Sequence, residues 1–302
     1  MQKQQVKDVP GWVRSLYLFS QTKELWQNSI QIPYSLIKGD ALSYLAYQSL
    51  GRRKYSDIDI LIPRCNMKPF EKILISAGFR STIDMNNQRN TRIFCVSQSH
   101  QIPPYIKGIQ NQKIEIDINF DMFWGEYEGK RIDISEFLSD TIEIDVYGCT
   151  VKTLPPLKAM VQLILHHYKE MNSIYHLAGH NSINYNMFKD VYYLWKNNQE
   201  AVSLEKLYAI SSEYEIILYV FYVLHFTNWI FKDTELQKYV EAFRTSEGKA
   251  YLDYYGLAEK ERKPWKVDFQ TRLEADNLYE FIRDDLTEAD VEKLERNRRI
   301  FG

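Results

Sequence analysis

The feature that most restricts the fold of this 302-residue chain is a change of hydrophobic period near residue 153. Before it, apolar residues come in short runs bounded by Gly, Pro, Asn or Asp, the spacing of strands and short helices. From Pro155 onward they recur every three or four positions, the helical period. The expected class is therefore α+β, with a small mixed sheet in residues 1–152, which also carry an N-terminal helix, and a helical domain in residues 153–302 that ends in a charged tail. Pro10 opens the first helix, where Trp12, Leu16, Phe19, Leu25 and Trp26 fall near a 3.6-residue period. Residues 34–38 read as a strand stopped by Gly39, and Asp40 as the cap of the next helix. Residues 57–62 form a second strand closed by Pro63, and Asn66 caps a helix that Gly78 ends. Further strands are expected around Phe79–Ile83, Arg92–Ser97 and Lys113–Asn119, with a later hairpin turning at Tyr147-Gly148.

Composition narrows the function classes. Hydrophobic residues at 45% and charged residues at 26% are those of a globular chain. A net charge of −2 supplies no broad field for nucleic acid, which is not favoured as a partner. Cys65, Cys95 and Cys149 are odd in number and widely spaced, as expected of reduced thiols in a cytoplasmic protein. The first residues lack the apolar core of a signal peptide. The apolar stretch 216–231 is broken by His225, Thr227 and Asn228 and falls short of the roughly 20 residues a membrane span needs, so no membrane partner is expected.

The chemistry concentrates in DIDILI, residues 57–62. Strand side chains alternate, so Ile58, Ile60 and Ile62 enter a core while Asp57 and Asp59 share the opposite face, about 7 Å apart at their Cα atoms. Two carboxylates so aligned repel one another unless a cation joins them, and Mg²⁺ takes hard oxygen ligands. About twenty residues upstream, Lys38-Gly39 leads from a strand into a helix, and backbone amides at such a helix start bind phosphate. In KIEIDINF, Glu115, Asp117 and Asn119 share the face opposite three isoleucines, and Asp117 is the expected third ligand and general base. The near copy IEIDV (Glu143, Asp145) runs into the hairpin and reads as an outer strand.

These residues carry a resemblance. The run LIKGDALSYLAYQSLGRRKYSDIDILI resembles the signature of the uncharacterised nucleotidyltransferases, a family of the DNA polymerase β-type superfamily. Gly78-Phe79, EIDINF, the helix with Leu163, Leu165 and His166, and Phe188-Lys189-Asp190-Val191 are similar in order, and the likeness spans roughly residues 30–230. It implies a polymerase β-like palm followed by a helical domain. Asp57, Asp59 and Asp117 would hold Mg²⁺, with Mn²⁺ as an alternative. An NTP, expected to be ATP, would donate its nucleoside monophosphate to a hydroxyl acceptor of unknown identity and release pyrophosphate. Where the superfamily usually has Gly-Ser, Gly39 is followed by Asp40; Lys38, Gly39, Arg52 and Arg53, with Lys54, are the expected triphosphate contacts. Two alternatives stand beside this: a toxin-like enzyme acting on tRNA or protein, and a degenerate member that binds a nucleotide or partner without turnover.

Other candidates read as structural. His166 and His167 are adjacent on a helix and are expected to diverge by about 100°, one buried and one exposed. His176 and His180 have chelating spacing only if helical, and Gly179 argues against that. Asp190 is expected to cap or pack between helices, and the aromatic run 215–231 to form the helical core.

Overall fold

A computed structural model describes residues 10–53, 55–83, 88–109, 112–124, 131–179 and 181–301, with residues 88, 96–98 and 301 described by backbone alone. Lys54 and His180 lie outside the described residues. Seven strands form one mixed sheet: β1 (Ser35–Ile37), β2 (Ile58–Leu61), β3 (Arg80–Ser81), β4 (Gln101–Ile109), β5 (Gln112–Asn119), β6 (Ile142–Val146) and β7 (Cys149–Thr153), in the order β3-β4-β5-β2-β1-β7-β6. The central pair β2 and β5 runs parallel, with Asp59 opposite Asp117, while β1 lies antiparallel to β2 and parallel to β7.

Period-two alternation explains why the sheet has two unlike faces. Ile58, Ile60, Ile62, Ile114, Ile116 and Ile118 all point to one side. There they form a core with α1 (Gly11–Ser29), α3 (Met67–Ser76) and, through Cys95, α4 (Gln88–Gln98). Each buried isoleucine contributes about 1.5–3 kcal/mol, enough to fix the register and so to fix where the acids point. Between α1 and α3, α2 (Gly39–Tyr47) follows β1. On α1 the buried residues are Ser15, Leu18, Phe19, Thr22, Leu25, Trp26 and Ser29, whereas Trp12 and Leu16 are exposed, so the apolar part of the stripe starts at Leu18.

The other face meets the helical half. After α5 (Ile134–Phe137) come α6 (Pro156–Asn172), α7 (Ile174–Ala178), α8 (Tyr185–Lys196), α9 (Leu204–Glu213), α10 (Ile217–Phe231), α11 (Thr234–Phe243) and α12 (Ser246–Tyr251). Prolines 155 and 156 sit at the start of α6, where no intrahelical N–H is required. As its composition implies, α10 is enclosed by α6, α8, α11 and α12. The charge-rich final segment joins the same core through Leu257, Phe269, Leu278, Ile282 and Leu294. Among the described residues no helix is long and apolar enough to cross a membrane.

One local expectation is corrected. Residues 92–97 lie in α4 and not in a strand. The strand belongs to residues 101–109, and its pairing with β5 shifts register between Ile102 and Tyr105. Pro103 and Pro104, which have no N–H to give, occupy that irregularity. Tyr147 (φ 52°) and Gly148 (φ 77°) turn the β6–β7 hairpin through two left-handed residues, the geometry that matches strand twist, and β6 is an edge strand as expected.

Candidate active site

Asp59 and Asp117 are brought together by direct pairing of β2 with β5, and Asp57 stands one residue before β2. One carboxylate oxygen from each of the three lies within 4.8 Å of the others. Asp59 is only 7% exposed. Burial raises its pKa, and although the Lys38 ammonium opposes this, the net direction is upward. Burial, then the charges of Asp59 and Asp117's other neighbour Asp57, push the Asp117 carboxyl up to about 7. Such mutual repulsion in a set of hard oxygen donors is the electrostatic condition that a divalent cation relieves, so the donor set fits Mg²⁺ or Mn²⁺. Asn119, next on the same strand face, extends its side-chain amide toward Asp59 Oδ1 at 3.5 Å. Glu115 turns instead to Lys113 at 2.5 Å.

Lys38 closes the triad from β1. Its Nζ donates to Asp59 Oδ1 at 2.8 Å. Burial pulls the ammonium down, but Asp59 outweighs it and the pKa is raised. Lys38 has φ 62° and ψ −151°, a region that is almost exclusively glycine's, and Gly39 follows at φ 44°. A lysine held there costs on the order of 1–3 kcal/mol, and such strain is typical of sites where a backbone turn is imposed for function. The same residue is the N-cap of α2, so the start of that helix follows directly on the Lys38–Asp59 contact. Asp40 does not cap α2. It is buried, and it accepts from the Gly51 N–H at 2.8 Å and from the Tyr55 hydroxyl, so it braces the loop after α2.

That loop carries Arg52 and Arg53. Arg53 Nε lies 2.8 Å from Asp190 Oδ2 on α8, and the Tyr47 hydroxyl donates to Asp190 Oδ1 at 2.5 Å. Asn197 and Asn198 reach back to the Ala46 and Leu45 carbonyls at 2.7 and 2.9 Å. Asp190 therefore packs between helices, as expected, and also fixes Arg53. Between these elements opens a cleft of about 910 Å³, lined among others by Tyr47, Arg52, Arg53, Glu170, Asp190 and Tyr193. Its size is at the upper end of ordinary ligand sites.

The α6 face near Lys38 was the part sequence reasoning missed. His166 and His167 do not diverge: His166 Nε2 lies 3.0 Å from Glu170 Oε1 and His167 Nδ1 lies 3.4 Å from Glu170 Oε2. Ligand atoms of the three fall within 4.8 Å of one another, because Glu170 is one turn on and gathers both rings. Burial drives His166 well below its ordinary pKa. Burial would raise Glu170, but the two imidazoles outweigh it and hold the carboxyl well below the usual range. The signal available in the sequence was the i,i+4 spacing of His166 and Glu170. His176 lies in α7.

A mixed sheet with a three-carboxylate face, entered by a strand–turn–helix and covered by a helical half, is the architecture of the nucleotidyltransferase class. The chain belongs to the uncharacterised nucleotidyltransferase family, whose model matches residues 23–232. A comparison with curated proteins finds none that matches. Among solved structures, the solution structure of the antibiotic-resistance factor ANT(2'')-Ia is similar at 13% identity and TM-score 0.40, covering 67% of this chain and 94% of that one. The crystal structure of ANT(2'')-Ia with adenylyl-2''-tobramycin is similar at 12% identity and TM-score 0.38, covering 67% and 97%. A nucleotidyltransferase-like protein from Paracoccidioides brasiliensis is similar at 14% identity and TM-score 0.34, covering 68% and 88%.

Proposed function

We propose that this protein transfers a nucleoside monophosphate from an NTP, expected to be ATP, to a hydroxyl of a small-molecule, peptide or protein acceptor. The observation that carries the reading is the meeting of Asp57, Asp59 and Asp117 within 4.8 Å beside the strained Lys38-Gly39 turn. A divalent ion in the triad supplies positive charge to the phosphates and to the leaving oxygen. Lys38 and the first-turn amides of α2 grip the triphosphate, with Arg52 and Arg53 on the flank of the large cleft. Asp117, kept ionised once a cation offsets the repulsion of Asp59 and Asp57, would take the acceptor's hydroxyl proton. The acceptor oxygen bonds to the α-phosphorus as the bond to the β-phosphate oxygen breaks, and pyrophosphate leaves. Three free thiols support a cytoplasmic setting.

One observation favours a second reading, nucleotide binding without turnover: Lys38 already neutralises Asp59. Calorimetric titration with Mg²⁺ and each NTP tests the shared part. The wild type is expected to bind an NTP only with the metal present, and Asp57→Ala with Asp59→Ala to abolish this. Equal binding by wild type and double variant would sink the transfer reading and leave only nucleotide binding that does not use the triad. Turnover with transfer to RNA alone would move the acceptor to tRNA.

A further inference from the structure

A second cavity, of about 290 Å³, lies between the start of β4, α6 and α7, and among its lining residues are Ser99, His100, Gln101, Lys169, Ser173 and His176. His176 also borders the large cleft, so the two cavities share a wall. In the sheet order the large cleft adjoins the β1–α2 side of the triad through Arg52 and Arg53, whereas the small cavity adjoins β4, on the far side of β5 and Asp117. The chemistry of the small cavity is set by Lys169. Among the described residues its ammonium has one hydrogen-bond partner, His100 Nε2 at 2.9 Å, which is neutral and must accept. Two N–H groups of the ammonium remain for the cavity. Burial and the neighbouring Lys38 pull Lys169 down to about 8, while Glu170, Asp59 and Asp117 support its charge from a distance. Once a dication takes up Asp59 and Asp117, the support of those two is gone and only Glu170 remains, itself engaged by His166 and His167.

We infer that the small cavity is the acceptor subsite and that Lys169 reads an oxyanion on the acceptor, a carboxylate or phosphate monoester on the molecule whose hydroxyl faces Asp117. This rests on the nucleotidyl-transfer reading and names its acceptor class. An oxyanion supplies the missing counter-charge and accepts the free N–H groups, with Ser99 and Ser173 beside it. The volume, about ten waters' worth, suits a small hydroxy acid or a sugar-phosphate-sized group.

The test is saturation-transfer NMR on the full chain loaded with Mg²⁺ and α,β-methylene-ATP, using glycerol 3-phosphate, glycerate and glycerol as probes. At least one anionic probe is expected to bind while glycerol does not, and which of the two binds separates phosphate from carboxylate. Lys169→Met should weaken that probe about tenfold or more and leave the nucleotide analogue's affinity within about twofold; Lys169→Arg, which keeps the charge, should retain probe binding. Glycerol binding as well as the anions, no anionic probe binding, or an unchanged probe affinity in Lys169→Met overturns the inference. So does a loss of analogue affinity matching the loss of probe affinity, which would give Lys169 to the triphosphate. A wild type that binds no analogue fails the nucleotidyl-transfer reading instead.

Discussion

Asp117→Asn should make the metal-free protein more stable at neutral and alkaline pH. The Asp117 carboxyl stands at about 7 in the folded chain against an ordinary 3.8, because it is buried beside Asp59 and Asp57. A folded-state pKa above the unfolded one means that the wild-type residue's favourable contribution is complete below about pH 4. It is lost as pH rises through about 7. At about 1.4 kcal/mol per pKa unit the loss has a ceiling of about 4 kcal/mol. The three carboxylates share the repulsion and Lys38 offsets part of it, so we expect asparagine, which can donate to either remaining acid, to recover about 1–3 kcal/mol. For a chain of this size that is about 2–6 °C in Tm. The assay is thermal unfolding in EDTA at pH 5 and pH 8. The variant should melt higher than wild type at pH 8, and by less than about half that margin at pH 5, where only the first part of the wild-type contribution has been lost. Mg²⁺ at pH 8 should raise the wild-type Tm and not that of the variant. Equal melting at pH 8, or a gain that is the same at pH 5, would refute burial and repulsion as the cause.

Asp190→Ala leaves the Arg53 guanidinium and the Tyr47 hydroxyl without their shared partner at a 2%-exposed position, and should cost about 3 kcal/mol in urea unfolding; a cost below about 1 kcal/mol would mean that the pair is effectively solvated. Gly51→Ala puts a Cβ 2.4 Å from the Trp12 Cα at a residue with φ +69°, so α1 or the arginine loop must shift. We expect a loss of about 2–4 kcal/mol in the same assay, and a neutral substitution would show that α1 packs differently.

The legible parts of this protein were those set by local periodicity. The alternation in residues 57–62 and 113–119 ties three isoleucines of each strand to a core, and the acids then have only one face left. β4 was not expected: its two prolines occupy a bulge in a long strand, where a missing N–H is tolerated, and local pattern does not show that. The role of Asp40 was misread because a cap and a loop brace have the same local sequence; the deciding partner, Tyr55, is fifteen residues away. Arg53 and Asp190 are separated by 137 residues, and His100 and Lys169 by 69, so no spacing rule joins them. The grouping of His166 and His167 on Glu170 could have been found from helical spacing, but its nearness to Lys38 joins residues far apart in the chain, which no local spacing shows.

The central claim is that the Asp57–Asp59–Asp117 face supports nucleotidyl transfer. The most direct measurement is incubation with α-labelled NTPs, Mg²⁺ and a lysate of the host, followed by mass spectrometry for an added nucleoside monophosphate. The account predicts a metal-dependent adduct with wild-type protein and none with Asp57→Ala combined with Asp59→Ala. An adduct formed equally by the double variant, or none from wild type although it binds an NTP, would contradict it.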